Sequence, residues 1–384
     1  MGDPGKRVAH LNLLFLSIDS LRLDFVSRAN AQIRTPRFDA LARDFYFCDR
    51  CFSVSSATRP VHATLFTGLY PFEHGVLGQR HSRMRIVPHL FELFEKQGYR
   101  VAAFSEVPAI FTGLEFAPWI EPLAPLQMAR FLQGSGPCFL FLHCWGAHPP
   151  YGAADGLAMG ETARLLRAGQ RAEVIARYQQ AVERVFEQQL APLLAQLDLR
   201  QWGVLLLGDH GQSWSPEELY HGQTLRNAVL RVPLYLHIPH PGNPPLPGPL
   251  VSLVDVFPTL VALFGLPVEY RGFGRDLRAE IRLEYYLAQI HPVPQEAEEQ
   301  LIGIKKPGRQ WALFDAEKKF TWDEDRGEGR LERTFTEERL PDQGDYFKGV
   351  YARLQAESAY AHLPPAESET DEVLDRRLRE LGYL

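Results

Sequence analysis

The sequence predicts an α/β protein: a doubly wound, mostly parallel sheet flanked by helices, followed by a smaller C-terminal α+β lobe. Three observations lead there. Near-continuous apolar runs recur at residues 11–18, 99–104, 137–143, 202–207 and 232–238, the pattern of strands covered on both faces. Helical stretches alternate with them up to about residue 265, as in βαβ architecture. Beyond residue 271 the texture changes to short strand-like pieces with turn signals at 305–322, a charged stretch at 323–333 and a charged helix over 368–384. The expected organisation is an α/β core over 1–270 and a C-terminal α+β subdomain over 271–384 that ends in that helix.

Residues 11–18 read as a buried strand that delivers Asp19 at its C-terminal end, the end where open α/β sheets bind ligands. Residues 35–45 read as a helix with Pro36 in its first turn, and the aromatic run 45–53 as a strand leading toward Thr58. The stretch TRPVHATLFTG at 58–68 predicts a two-turn helix over 60–67, with Pro60 at its first position and Gly68 just past its last. Thr58 stands at the entrance, where backbone N–H groups and the positive dipole end suit an anion. A hydroxyl placed there can attack a phosphorus or sulfur centre; read alone, Thr58 is equally a helix cap.

An amphipathic helix over 87–97, ended by Gly98, precedes the strand at 99–104. The strand at 137–143 runs into a loop over 144–151, because Pro149 and Pro150 disfavour regular structure. Residues 161–199 form a long helical pattern broken near Gly169, and the strand at 202–207 ends in Asp209 and His210. After the strand at 232–238 come a proline-rich loop over 239–249 and a helix over 253–264 closed by Gly265.

The bulk numbers bound the function. The 384 residues are 45% hydrophobic and 23% charged, which allows a sizeable core. A net charge of −6 argues against a nucleic-acid partner, which needs a basic footprint. The apolar run at 11–18 is too short to span a membrane, and no small-residue cleavage site follows it. The expectation is a cytoplasmic protein with no membrane partner. Cys48 and Cys51 form a C-x-x-C, but Cys138 and Cys144 do not supply the second pair of a zinc site. The four are expected to be core or loop thiols.

Asp19, Thr58, Asp209 and His210 each follow an apolar strand directly or after one short loop, so one sheet edge can gather them. Two carboxylates, an imidazole and a hydroxyl make a shell for one divalent metal, with Mn or Zn favoured and Ca or Mg admissible. A metal on the Thr58 oxygen lowers its pKa toward an alkoxide. Phosphoryl transfer then needs mainly positioning and charge neutralisation. Taken singly, Asp19 is as good a helix cap, and Asp209–His210 a polar turn. His143, His148 and His221 are candidates for a second metal or for contacts to the substrate anion, and His221 is also a candidate catalytic residue. Arg59 and His62 flank Thr58 and are candidate substrate contacts. His74, before Gly75, is assigned to structure.

Together these residues resemble a known group. IDSLRLD at 18–24 is similar to the opening metal-ligand motif of sulfatase-like hydrolases of the alkaline phosphatase superfamily. The segment from Thr58 and Pro60 through TGLYPFEHG at 67–75 resembles their nucleophile segment. Gly208 to Gly211, then His221 and Gly222, then RVPL at 231–234 resemble their second metal segment; LVDVFPTL at 253–260 and the tail LRELGYL at 378–384 are also like theirs. The resemblance implies an alkaline phosphatase-like fold, a small anionic ester as substrate, and a metal held by Asp19, Thr58, Asp209 and His210.

The departures point to a branch. Most sulfatases carry a Cys or Ser nucleophile that is oxidised to formylglycine. Thr58 would give a ketone instead, so no formylglycine is expected here. His62 stands where they have Arg, and Ser20 where many have a second Asp. The Thr58–Pro60–His62 pattern is closer to the nucleotide pyrophosphatase/phosphodiesterase branch, in which Thr is the nucleophile beside two zinc ions. That branch has an Asp four residues before the position of His148, and here Cys144 stands there. The resemblance therefore implies one strong metal, with His148 and His221 as substrate contacts or a weak second site. The expected activity is a metal-dependent phosphoesterase or phosphotransferase acting on diesters through phospho-Thr58. A sulfatase-like hydrolase of sulfate or phosphonate esters with an unusual nucleophile stays open. So does a non-catalytic anion-binding member, to which the missing Asp and Gly146 point.

Overall fold

Strand direction is what gathers the site. In the computed structural model, which describes residues 11–79, 83–151, 159–215, 218–239, 250–278, 284–292, 308–341, 343–364 and 376, an eight-stranded sheet has β1 (Asn12–Ile18) near its middle. Its other members are β2 (Tyr46–Phe52), β3 (Arg100–Ser105), β4 (Ile120–Pro122), β5 (Cys138–Cys144), β6 (Trp202–Gly208), β9 (Arg231–His237) and β10 (Val251–Ser252). The order is β10-β2-β9-β6-β1-β5-β3-β4. β1 lies parallel between β5 and β6, with Ile18 opposite both Cys144 and Gly208. Only β9 runs against its neighbours β2 and β6. β1, β2, β5 and β6 therefore end on the same edge, which is where the chain places Asp19, the approach to Thr58, and Asp209 with His210.

Period-two alternation divides β1 between two cores. Leu13 and Phe15 join the cluster that holds Val61, Phe66 and Phe141. Leu14, Leu16 and Ile18 join the one that holds Tyr178, Val182 and Phe186. These five side chains are fully buried, each contributing about 1.5–3 kcal/mol relative to exposure. The sheet centre is thus a rigid base for the loops at its edge.

The helix after β2 spans Thr58–Thr67, two residues longer at its start than the sequence suggests. Pro60 is tolerated at its third position because the first four helical N–H groups have no intrahelical partner to lose. Gly68 ends the helix at φ +72°; a Cβ there would meet the Phe257 and Tyr270 rings at 2.7 Å. The helix expected over 35–45 is shorter, Pro36–Leu41, since Phe45 turns into the sheet-side core and the chain must straighten for β2. The long pattern at 161–199 resolves into helices Met159–Arg167 and Arg171–Arg184, broken where Gly169 takes φ +76°, and the second continues through a π-helical stretch, Val185–Leu190.

The later residues carry a second, antiparallel sheet of β11 (Tyr286–Ile290), β12 (Gln310–Phe314), β13 (Lys318–Asp323) and β14 (Glu328–Arg333). Half of the stretch read as merely charged is strand β14: Glu328 and Arg333 are exposed while Leu331 and Glu332 are buried. A helix at Gly344–Glu357, unexpected from the sequence, stacks Phe347 on Phe320 and Tyr351 on Trp311. A small hairpin of β7 (Ser213–Ser215) and β8 (Glu218–Tyr220) was also not expected. The second sheet rests against the residues that flank the Thr58 helix: Gln289 donates its N–H to Val54 O (2.8 Å) and accepts the Phe72 N–H (3.0 Å). Apart from residue 376, the helix expected over 368–384 lies outside the described residues, as does most of the loop at 239–249. Among the described residues, no helix is long and apolar enough to cross a membrane.

Candidate active site

The structure brings Asp19, Thr58, Asp209 and His210 together, each fully buried. The Thr58 hydroxyl donates to Asp19 Oδ2 (3.0 Å) and lies 3.2 Å from His210 Nε2. His210 Nε2 is 3.5 Å from Asp209 Oδ2 and 4.0 Å from Asp19 Oδ1. Backbone geometry sets this arrangement. Ser20 adopts φ +58°, and in that turn its N–H donates to Asp209 Oδ1 (3.0 Å) and its hydroxyl to Asp19 Oδ1 (2.7 Å). The His210 N–H donates to the same Asp209 Oδ1 (2.7 Å). Ser53 Oγ donates to the Asp209 carbonyl (2.6 Å), tying the end of β2 to the end of β6.

Electrostatics reveal a frustrated pair. Burial and then the Asp19 charge push the Asp209 carboxyl well above its usual range. Burial also opposes ionisation of Asp19, but attraction to the His143, His148 and His210 imidazoles outweighs it and holds Asp19 well below its usual range. Asp209 Oδ2 has no hydrogen-bond partner among the described residues, a costly state for a buried acceptor. A cation removes both penalties at once.

The donor set fits such a cation. Asp19, Asp209 and His210 present ligand atoms within 4.8 Å of one another. Burial lowers His210 from the ordinary imidazole value, so its ring is neutral, the form that binds metal. Its Nδ1 lies 2.9 Å from Gly211 O; with the proton on that nitrogen, the Nε2 lone pair faces Thr58 and both carboxylates.

The imidazoles differ in what they can do. His143 sits on β5 with Nδ1 2.9 Å from Ser105 Oγ and Nε2 3.5 Å from Asp19 Oδ2. His148 stacks on Trp145 with ring centroids 3.8 Å apart, and its Nδ1 donates to Pro149 O (2.8 Å). His221 bonds Gln212 Oε1 through Nδ1 (2.9 Å) and lies with its ring 4.4 Å from His210 and 5.1 Å from His148. His221 thus borders the cluster beside His210, with His148 next to it.

Arg59 and His62 are placed differently from expectation. Arg59 is buried and its Nη1 donates to Ile110 O (2.9 Å) and Thr112 O (2.7 Å). Successive helical residues point about 100° apart, which turns Arg59 away from the face of Thr58. His62 donates Nδ1–H to Thr58 O (2.8 Å) and has Nε2 3.0 Å from Ser17 Oγ. Burial and then the His143 charge lower its pKa to about 3. It braces the start of the Thr58–Thr67 helix as a neutral ring. The helix entrance also offers fewer donors than expected: Arg59 N–H goes to Gln79 Oε1 (3.3 Å), Pro60 has none, and Val61 N–H closes on Ala57 O (3.3 Å). His74 bonds Thr64 Oγ1 and Val76 N.

Sequence reasoning missed Ser20, Gln212 and Tyr178. The last reaches the site from 158 residues away, donating its hydroxyl to Ser20 O (2.6 Å). The left-handed turn at Ser20 carries no glycine or asparagine signal that would have marked it.

Comparisons with known proteins bear on this arrangement. A family model described as Sulfatase matches residues 11–114 and 126–266. No curated protein matches the chain in sequence. Among solved structures it is similar to a phosphonate monoester hydrolase of Agrobacterium radiobacter, at 17% identity over 92% of this chain and 96% of the other, TM-score 0.65. It is similar to BT1596, a 2-O glycosaminoglycan (GAG) sulfatase, at 16% identity over 98% and 94%, TM-score 0.69. A third is the lipoteichoic acid synthase LtaP from Listeria monocytogenes, at 16% identity over 93% and 94%, TM-score 0.61. At these identities the likeness is one of fold.

Proposed function

The chain belongs to the Sulfatase family, and on that footing we propose that it is a metal-dependent hydrolase of phosphate esters, diesters in particular, with Thr58 as its nucleophile. Membership supports the wider class, hydrolysis of sulfate, phosphonate or phosphate esters. The choice of phosphorus rests on the residue at position 58. A threonine cannot become the formylglycine aldehyde, so it must attack as a hydroxyl.

The observation that carries this reading is the Thr58 oxygen lying 3.0 Å from Asp19 Oδ2 and 3.2 Å from His210 Nε2. Asp19, Asp209, His210 and Thr58 would hold the divalent ion. When bound, that ion supplies positive charge for the Thr58 alkoxide and for a substrate oxygen. The chain does the rest. The Thr58 hydrogen bond to Asp19 aims the proton away from the oxygen's attacking lone pairs. The ester phosphorus forms a bond to Thr58 Oγ1 as the hydroxyl proton passes along its hydrogen bond to Asp19 Oδ2, to return when the hydroxyl is restored, and the phosphorus bond to the leaving alkoxide oxygen breaks in line. His221, oriented by Gln212, is the group we assign to protonate that oxygen. His148, held by Trp145 and Pro149, is the contact we assign to a non-bridging oxygen. Water then attacks the phosphorus of phospho-Thr58, releasing a phosphate monoester and restoring the hydroxyl.

The test is acid-quenched turnover of bis(4-nitrophenyl) phosphate followed by mass spectrometry. A 4-nitrophenyl phosphoryl group on Thr58 is expected, and an unmodified Thr58 under rapid turnover would overturn the assignment. The same protein is assayed on 4-nitrophenyl sulfate and on a phenyl phosphonate ester. Faster turnover of either would transfer the reading to sulfate or phosphonate esters, which the family equally contains.

A further inference from the structure

A cavity of about 380 Å³ opens between the segment that follows His221 and the second sheet. Its walls include Arg226, Arg326, Arg330 and Arg339 against only two carboxylates, Asp323 and Glu328. In a chain of net charge −6, four guanidiniums around one concave surface run against the average. Like charges gathered this way repel unless an anion lies among them.

The carboxylates meet part of this charge, since Glu332 and Glu337 lie in the electrostatic reach of Arg226. Asp323 Oδ1 accepts the Asp325 N–H (3.2 Å) and the Arg326 N–H (3.0 Å), so it closes the turn between β13 and β14. Arg330 is paired with Glu332 at 2.9 Å, and Arg326 lies 3.7 Å from Asp323. Arg339 makes no ion pair among the described residues and is exposed. Thr321 Oγ1, on the cavity wall, has no hydrogen-bond partner among them either.

The wall is fixed in place. Buried Glu218 accepts the Thr224 N–H (3.0 Å) and hydroxyl (2.7 Å). Lys319 Nζ, also buried, bonds Leu225 O (3.3 Å), Asn227 Oδ1 (2.8 Å) and Glu337 (2.6 Å). Thr224, a lining residue, is three positions from His221, and three residues of extended chain span at most about 11 Å. The first wall residue therefore lies at most about 11 Å along the chain from His221, whose ring is 4.4 Å from that of His210.

We propose that this cavity binds a tetrahedral oxyanion, phosphate or sulfate, as a second anionic group of the ester substrate, distal to the one attacked. Planar guanidiniums take such oxygens two at a time. The assignment as a substrate group rests on the proposed function; the anion site itself does not.

The experiment separates the two. Inorganic phosphate is titrated by calorimetry into the Asp209→Asn protein, in which the first site is disabled, with and without Arg330→Gln and Arg339→Gln. One saturable site is expected, weakened at least tenfold by the paired arginine substitutions while circular dichroism stays unchanged. No saturable binding, or binding indifferent to the arginines, overturns the site whatever the catalytic result. Kinetics of the Arg330→Gln/Arg339→Gln protein then decide the source. The substrate assignment requires KM to rise at least tenfold for a diester bearing a second phosphate and to stay unchanged for bis(4-nitrophenyl) phosphate. If calorimetry is positive and both KM values stay unchanged, the substrate assignment is overturned and the site serves free oxyanion.

Discussion

The Tyr178 hydroxyl donates to Ser20 O at 2.6 Å and accepts the Arg22 N–H at 2.9 Å. One phenol thus clamps both sides of the left-handed turn that aims Ser20 at Asp19 and Asp209. A non-glycine residue at φ +58° costs about 1–3 kcal/mol and persists only where its surroundings over-determine it. Tyr178→Phe removes the clamp and leaves two buried backbone groups unpaired. The expected loss of stability is about 1–3 kcal/mol, accompanied by a fall in bound metal. Urea denaturation and elemental analysis of the purified protein check the two effects. If metal content stays at the wild-type level, the turn does not organise the cation site.

The nucleophile assignment makes a graded prediction. Thr58→Ala removes the attacking oxygen but leaves a good helix former at the first helical position, so the fold should survive. Turnover should drop by roughly 10⁴-fold or more, the scale seen when a nucleophile is deleted. Thr58→Ser keeps the oxygen and loses a methyl group, and should retain turnover within about an order of magnitude. Steady-state rates on one diester suffice. An alanine variant that turns over as fast as the serine variant places the nucleophile elsewhere.

Opposite signs are expected for Asp209→Asn with and without metal. In the metal-free protein, Asp209 is a buried carboxyl beside Asp19, and burial and then the Asp19 charge oppose its ionisation. An amide keeps the Oδ1 contacts to Ser20 and His210 and cannot ionise. The metal-free variant should therefore unfold at a higher temperature than metal-free wild type. With metal the order reverses, because wild type gains RT ln(1 + [L]/Kd), about 2.7 kcal/mol at a hundredfold excess over Kd. Four thermal melts, with and without chelator, read this out. Wild type that melts at the same temperature with and without chelator would argue against a bound ion.

The parts of this site that could be read from the sequence are those with a local signature. Asp19 and Asp209 each follow a run of apolar residues, and a parallel strand buried on both faces leaves that mark. Thr58 is flagged by Pro60 and Gly68. Arg59 shows the limit: proximity in sequence says nothing about direction, and one step along a helix carried it to the carbonyls of Ile110 and Thr112. Tyr178 and Gln212 act through hydrogen bonds made across the fold, and their neighbours in sequence carry no trace of it. Among the C-terminal strands, β14 was hidden by its charges, because Leu331 is its only strongly apolar side chain.

Glu73, on the short helix Pro71–His74, ties that helix to Ser358 and should make stability depend on pH. It accepts the Tyr70 N–H (2.9 Å) and the Ser358 hydroxyl (2.8 Å). Burial outweighs both bonds and pushes its pKa up from 4.5 to about 7. A carboxyl raised on folding is more protonated in the folded chain than in the unfolded one between those two values. Stability from this group is therefore full below about pH 4.5, falls as pH rises, and is gone above about 7. The span corresponds to at most about 3 kcal/mol. Glu218, also pushed up to about 7 by burial, adds a slope of the same sign. Glu73→Gln keeps an acceptor for Tyr70 N–H and offers an amide to the Ser358 oxygen, but cannot ionise. Its urea midpoint should fall less than that of wild type between pH 5 and pH 8, leaving the share owed to Glu218. Parallel curves for the two proteins would mean that Glu73 is already ionised throughout that range, and that Ser358 and Tyr70 hold a charge rather than a neutral acid.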